Sequence, residues 1–149
     1  MASGETAAQT LRDEQLYGSW RVIGAKGVMV DADGMRTESE STQEGVLIFT
    51  PGHRMIAFVL SPDRKPASND ADRVALFKSM VTYSGKFVLE PGKYILDIDW
   101  SSTALNTDEL QTRYYTIDGD TLKIEVPLHK NIHDATKQNA NTLTLRRED

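Results

Sequence analysis

The sequence predicts an all-β fold, an eight-stranded antiparallel up-and-down barrel. Short apolar runs with alternating polar residues recur along the chain, and tight-turn pairs separate them, which is typical of small barrels. In addition, Trp20 lies at the start of the first predicted strand and Arg147 at the end of the last. These side chains can stack only if the two strands are neighbours. We therefore predict that the sheet closes on itself, with structural roles for Gly18, Trp20 and Arg147 at the closure.

The predicted strands follow one another in hairpins. Pro-Gly pairs at 51–52 and 91–92 and an Asp-Gly pair at 118–119 favour chain reversal, because Pro fixes φ and Gly accepts a positive φ. The eight strands are predicted over 17–30, 46–49, 55–60, 81–90, 93–102, 109–117, 121–128 and 141–147. Eight strands can enclose an interior that side chains fill or that holds one small ligand.

Two short helices and one polar loop complete the predicted fold. Thr10, followed by Asp13, resembles a helix N-cap before the first strand. Val74 and Phe77 have helical spacing, which predicts a helix over 72–80, between the third and fourth strands. The polar stretch 37–43 is expected to be a solvent-exposed loop. The whole chain, 1–149, is predicted to be one domain, with 1–15 as a helical or flexible N-terminal segment.

Composition excludes several classes of function. The chain has 149 residues, of which 39% are hydrophobic and 26% charged, and its net charge is −5. Because it has no cysteine, disulfides and thiolate chemistry are excluded. Its Lys and Arg residues are scattered, which argues against a nucleic-acid partner. No apolar run approaches the roughly 18 residues that a membrane-spanning helix needs. We expect a cytoplasmic protein without a membrane partner.

The last predicted hairpin places an arginine inside the barrel. If Asp118 and Gly119 are the two central turn residues, Tyr115 lies opposite Leu122 and Arg113 opposite Ile124. The face of the last-but-one strand with Leu122, Ile124, Val126 and Leu128 is the apolar one, so Gln111, Arg113 and Tyr115 are expected to point inward. A one-residue slip of register would instead turn Arg113 to solvent.

An inward guanidinium is expected to pair with an acid, because its desolvation costs several kcal/mol, roughly. Asp97 and Asp99 share one face of the preceding strand. Two considerations conflict here. The alternating Leu96, Ile98 and Trp100 favour the interior, and a strict two-residue turn at 91–92 would place Asp97 on the outer wall opposite Lys86. A bulge that shifts the register by one residue would place both carboxylates inside. The sequence leaves both readings open.

Other candidates follow from residue type and position. Tyr83 and Trp100 either line the interior or fill it, and Met55 and Phe58 are further predicted ligand contacts. His53 lies in a turn, where a solvent-exposed role is favoured over a role at the barrel rim. His129 and His133 have i, i+4 spacing, but neither a third ligand nor a helical pattern accompanies them, so no metal site is predicted.

The chain resembles the lipocalin-like domain family over most of its length. The matching segments, in this order, are Leu16-Tyr17-Gly18-Ser19-Trp20-Arg21-Val22, Gly45-Val46-Leu47-Ile48-Phe49-Thr50-Pro51, Tyr83-Ser84-Gly85-Lys86-Phe87, Gln111-Thr112-Arg113-Tyr114-Tyr115 and Ile117-Asp118-Gly119-Asp120-Thr121-Leu122. The resemblance implies a calycin-type barrel, and some barrels of similar build act as cyclases or isomerases in natural-product pathways. Where the family often has histidines and a glutamate on the fifth strand, this chain has Asp97 and Asp99. Where it usually has Pro-Asp-Gly, this chain has Pro51-Gly52-His53.

These observations predict a barrel that binds a small, largely apolar organic molecule. The first hypothesis is a cofactor-independent isomerase or cyclase, in which Arg113 stabilises an oxyanion, Asp99 or Asp97 transfers a proton, and Tyr83 and Tyr115 orient the substrate. The alternative is a non-catalytic carrier or sensor in which Arg113 anchors a ligand oxygen. In a third reading, side chains fill the interior and the protein acts through its surface. A homodimer is left open.

Overall fold

The computed structural model describes residues 14–104, 109–131 and 133–149, which are mostly antiparallel strands. The strands are β1 (Gly18–Val30), β2 (Arg36–Ser41), β3 (Glu44–Phe49), β4 (Arg54–Leu60), β5 (Met80–Glu90), β6 (Lys93–Ser101), β7 (Gln111–Asp118), β8 (Thr121–Lys130) and β9 (Gln138–Arg147). One helix, α1 (Asp70–Lys78), lies between β4 and β5. No helix in these ranges is long and apolar enough to cross a membrane.

The sheet closes because β1 pairs with β9 as well as with its sequence neighbours. Both β2 and β3 lie on the other side of β1: residues 18–21 of β1 pair with β3, and residues 25–30 pair with β2. The nine segments therefore occupy eight positions around the barrel, and the predicted eight-stranded barrel is confirmed. The predicted loop over 37–43 was wrong for β2, although all six residues of β2 are exposed, as expected. Backbone pairing with β1 forms this strand without apolar side chains.

The predicted closure contact is present at one end of the barrel. Trp20 lies opposite Arg147, whose guanidinium carbon is 4.0 Å from the centre of the Trp20 ring. Trp20 is fully buried and its Nε1 donates to the Leu16 carbonyl at 2.8 Å. Arg147 also donates to the carbonyls of Gln15 and Tyr17. The chain before β1 is thus tied to the first and last strands.

The predicted N-terminal helix lies mostly outside the described residues. Residues 14–16 are helical and Leu16 is fully buried in the core. The predicted N-cap, Thr10, and Asp13 lie outside the described residues. The second predicted helix is confirmed, two residues earlier than expected, because Asn69 rather than a later residue caps it by accepting from the Asp72 amide at 2.8 Å.

A packed apolar core fills much of the interior. Its buried residues come from the N-terminal turn and seven of the strands: Leu16, Trp20, Val22, Leu47, Phe49, Met55, Ala57, Val59, Phe87, Tyr94, Leu96, Leu122, Ile124, Val126 and Leu145. The rings of Phe49, Phe87 and Tyr94 contact one another edge to face, with centroids 5.3 to 6.1 Å apart. Packing of this kind stabilises the barrel without disulfides.

The turn between β3 and β4 differs from its prediction. The residue with a positive φ is His53 (+65°), not Gly52. His53 is also not a plain solvent-exposed residue: its ring stacks on Phe87 at 5.1 Å, and its Nε2 hydrogen-bonds the Tyr17 hydroxyl at 3.1 Å. These contacts offset the strain of a left-handed conformation in a non-glycine residue.

Candidate functional site

Among the described residues, Arg113 is the charged residue that is buried in the barrel interior. It lies on β7 opposite Tyr94 of β6, and the residue is only 4% exposed. The inward position predicted for Arg113 is therefore confirmed, and its outward-facing neighbours across the hairpin, Lys123 and Glu125, are exposed as expected.

The turn between β7 and β8 was predicted incorrectly. Asp118 pairs with Thr121, so Gly119 and Asp120 are the central residues, and Gly119 has a φ of +60°. Tyr115 consequently lies opposite Ile124 rather than Leu122. Because the pairing moved by two residues, each side chain kept its predicted face.

The predicted ion pair of Arg113 is absent. Within the described parts of the chain no carboxylate lies within 4.0 Å of its guanidinium. One terminal nitrogen, Nη2, donates to the Gln111 side-chain oxygen, while Nε is buried and has no partner there. A buried guanidinium N–H without an acceptor costs free energy, so the site has an unmet capacity to bind an oxygen atom.

Three tyrosines face the interior beside Arg113. Tyr94 is 1% exposed, and its ring centre is 6.2 Å from that of Tyr115. Burial raises the pKa of the Tyr94 phenol well above its usual range, Tyr83 adds to this, and the charge of Arg113 opposes it. Tyr83, paired with the buried Ala57, packs against the same core. The structure thus brings Arg113, Gln111, Tyr83 and Tyr115 to the inner face.

His129 also belongs to this inner face, although the sequence analysis treated it as a loop residue. It pairs with Asn139 at the end of β8, and its Nδ1 is 2.9 Å from the Pro127 carbonyl. Burial lowers the pKa of the His129 imidazole, the Pro127 carbonyl opposes the shift, and the charge of Arg113 adds to it. The Asn139 backbone also hydrogen-bonds the ring and opposes the shift, and in the neutral ring one nitrogen donates while the other is basic.

A bulge explains why His129 was missed. Strict alternation from Leu122 predicts Leu128 inside and His129 outside, but the register shifts between Val126 and His129. Leu128 is therefore 50% exposed, which contradicts its predicted place in the core. The Pro at 127 is the one sequence signal of an interruption in this strand. His133 turns elsewhere and bonds the Met80 carbonyl at 3.0 Å.

The carboxylates predicted for the interior lie on the outer wall. Asp97 is exposed opposite Lys86, which is the register of the strict two-residue turn. Asp99 forms a two-pronged ion pair with Arg54, with N–O distances of 2.7 and 2.9 Å. The Arg54 guanidinium holds the pKa of the Asp99 carboxyl below its usual range. The interior acid role given to Asp97 and Asp99 was therefore wrong.

Trp100 and Phe58 are also outside, so their predicted ligand contacts in the interior were wrong. Trp100 is 67% exposed and Phe58 43% exposed. For Trp100 the cause is a bulge on β6: Gly85 pairs with Ile98 and Ser84 with Trp100, so Asp99 is an extra residue that shifts the register by one. Gly85 is needed there, because a Cβ at this position would lie 2.3 Å from the Asp97 carbonyl oxygen. Phe58 alternates with the inward Ala57 and Val59. Met55, in contrast, is fully buried in the core.

An outer-wall groove of about 790 Å³ differs in character from the interior. Four charged side chains line it: Lys26, Glu38, Glu40 and Glu125, which leaves it acidic. An anion would be repelled from this groove and attracted to Arg113. No group of three or more metal-binding side chains occurs in the described ranges.

Comparison with known proteins identifies the family. The model of the lipocalin-like domain matches residues 17–148. The chain belongs to the lipocalin-like domain family. It is similar to a solved lipocalin-like protein from Bacteroides uniformis ATCC 8492, with 14% identity over 89% of this chain and 98% of that one and a TM-score of 0.45. It is also similar to EF1p2_mFAP2b bound to DFHBI, with 18% identity over 91% and 96% of the two chains and a TM-score of 0.47. No curated protein matches the chain.

Proposed function

We propose that this lipocalin-like barrel binds a small, largely apolar organic molecule that carries a carboxylate or carbonyl oxygen, and that this oxygen accepts a hydrogen bond from Arg113. The observation that carries the proposal is the buried Nε of Arg113, which has no acceptor in the described structure. Keeping an unpaired guanidinium in an apolar core costs several kcal/mol, roughly. A ligand oxygen would supply the missing partner.

The surroundings of Arg113 suit the rest of such a ligand. Aromatic and aliphatic side chains dominate the inner face, and few polar groups accompany them, as is usual for sites that bind small organic molecules. Tyr83 and Tyr115 are partly buried on this face and can orient a ligand through their hydroxyl groups.

A matched set of ligands tests the proposal. Decanoate and naphthoate, each compared with the corresponding alcohol, would be titrated by calorimetry and thermal shift. We expect the carboxylates to bind more tightly by roughly tenfold or more, because a charge-assisted hydrogen bond contributes about 1.5–3 kcal/mol. Arg113→Met should fold and lose this preference, whereas Arg21→Met, on the exposed outer face of β1, should keep it. Equal binding of acid and alcohol, or an unchanged preference in Arg113→Met, would contradict the proposal.

Proton-transfer catalysis, as in an isomerase or cyclase, is the second candidate function. His129 favours it, because a partly buried neutral imidazole is the base that such chemistry requires near pH 7. His129 would remove a proton from the carbon next to a bound carbonyl, the electron pair would move to the oxygen, and Arg113 would stabilise the enolate. Return of the proton to another carbon would give the isomer.

Deuterium exchange separates the two candidate functions. A ketone that binds the barrel would be incubated in heavy water, and exchange at the carbon next to its carbonyl would be followed by NMR. A catalyst would accelerate exchange, and His129→Gln would reduce the rate roughly 100-fold or more while retaining binding. A carrier would show binding without accelerated exchange in either protein.

A further inference from the structure

The outer wall of the barrel has two unlike halves. On β7 to β9 the outward positions are mostly polar, as at Thr116, Lys123 and Glu125. On β3 to β6 many outward positions are apolar, and we call this set the apolar face: Val46, Ile48, Ile56, Phe58, Val88, Ile95 and Trp100. A sheet with one side in water normally carries polar residues there. Exposure reaches 60% at Val88 and 67% at Trp100.

The register joins most of the apolar face into one patch, while the charged row of Arg54, Lys86 and Asp97 separates Val88 and Ile95 from it. Ile48 lies opposite Ile56, which lies opposite Ser84, and Ser84 lies opposite Trp100. Val46 and Phe58 form the neighbouring pair. Residues opposite one another on one face have Cβ atoms roughly 5 Å apart, so these side chains adjoin. Contiguous exposed apolar surface of this kind marks an interaction site.

The charges within the apolar face nearly balance. Arg54, Lys86 and Asp97 follow one another across β4, β5 and β6, and Asp99 is paired with Arg54. Adding the Glu90–Lys93 ion pair and the exposed Glu44 of β3 gives three cations and four anions, a net charge of −1 on this side of the barrel against −5 for the whole chain. Arg54 also lies 5.0 Å from the centre of the Trp100 ring, which holds the indole against the wall.

We propose that the apolar face is the contact surface of a homodimer. Two copies of a chain with a charge of −5 repel each other least where the surfaces that meet carry little net charge, and this face carries only −1 with both signs interspersed. A two-fold axis brings the same patch together from both copies, so that cations and anions on each side can face their opposites. A basic partner protein would instead be attracted to the acidic groove of Glu38, Glu40 and Glu125.

The size of the face indicates a reversible dimer. Four strands about 4.8 Å apart, with about six residues each at roughly 3.3 Å, give a surface some 15–20 Å on each side. Such a square covers roughly 225–400 Å² on each copy, below the about 800 Å² that each partner buries in a standard specific interface, as in weak and transient complexes. We therefore expect association in the micromolar range.

Sedimentation equilibrium over low to several hundred micromolar protein tests the proposal, together with tryptophan fluorescence. Trp20 is fully buried and Trp100 largely exposed, so acrylamide quenching reports on Trp100. We expect quenching to decrease as concentration rises. Phe58→Ser and Trp100→Ser should each weaken dimerisation by about tenfold or more. Leu128→Ser, a matched exposed apolar residue on β8, should leave it unchanged.

Two results would overturn the homodimer. One is a monomer across the whole concentration range, and the other is a dimer that persists in both Phe58→Ser and Trp100→Ser. Far-UV circular dichroism checks that the variants fold. If either variant fails to fold, acrylamide quenching of the wild-type protein tests the homodimer by itself. Quenching that does not change with protein concentration would show that Trp100 is not buried in a dimer.

Discussion

Replacement of Trp20 by Ala should remove much of the stability of the barrel closure. A Trp side chain buries about 150–250 Å², which at about 25 cal/mol per Å² corresponds to an upper estimate of roughly 4–6 kcal/mol. The variant also loses the 2.8 Å bond to the Leu16 carbonyl, about 1 kcal/mol, and the stacking with Arg147. Because these contributions overlap, we expect a loss of about 4 kcal/mol in the free energy of unfolding.

Urea unfolding followed by circular dichroism measures this loss, with linear extrapolation to water. Trp20→Phe is the companion variant, since it keeps an aromatic ring but not the N–H donor, and it should cost about 1–2 kcal/mol. A cost below about 1.5 kcal/mol for Trp20→Ala would refute the reasoning, since the closure would then not depend on this side chain.

Three further predictions follow from single positions. Gly45 has a φ of +141°, and a Cβ there would lie 2.0 Å from the Phe58 carbonyl oxygen. Gly45→Ala should therefore lower the free energy of unfolding, measured with a denaturant, by at least about 2 kcal/mol. Gly24 has open space around it, so Gly24→Ala should lower it far less. The folded state lowers the pKa of His129, so the unfolded state takes up a proton first as the pH falls. The free energy of unfolding should therefore decrease below the ordinary pKa of about 6.5. This decrease should be smaller in His129→Gln, and an identical pH dependence in the two proteins would contradict the burial of His129. Burial raises the pKa of Tyr94, so its phenol should not ionise when the folded protein is titrated to alkaline pH and followed by tyrosine absorbance. Folded Tyr94→Phe should then show the same absorbance change as the folded wild type. In the unfolded state it should show one ionising tyrosine fewer.

Alternation and turn chemistry account for what could be predicted from the sequence. The inward position of Arg113 required only the parity of the β7–β8 hairpin, so a two-residue error in the pairing did not change it. The closing stack of Trp20 on Arg147 required only that the first and last strands be neighbours. Both predictions rest on patterns local to one or two strands.

Bulges account for most of what could not be predicted. On β6 opposite Ser84 and Gly85, and again on β8 between Val126 and His129, one extra residue changes the face of the residues that follow. The sequence marks these places only with a glycine and a proline, residues that also occur in turns. Strand β2 was not predicted for another reason. All its residues are exposed, so its sequence has no apolar periodicity that would indicate a strand.

The bulge on β6 opposite Gly85 affects both the interior and the apolar face. Without it, Trp100 would follow Leu96 and Ile98 into the interior, where its large indole would occupy space on the inner face. With it, Ser101 lies opposite the inward Tyr83, and the indole lies on the outer wall beside Arg54. A small residue thus takes the inner position while the largest apolar side chain joins the apolar face. The same backbone irregularity therefore sets the side chain on the inner face and the indole on the outer face, so a substitution that removes the bulge should impair both ligand binding and dimerisation.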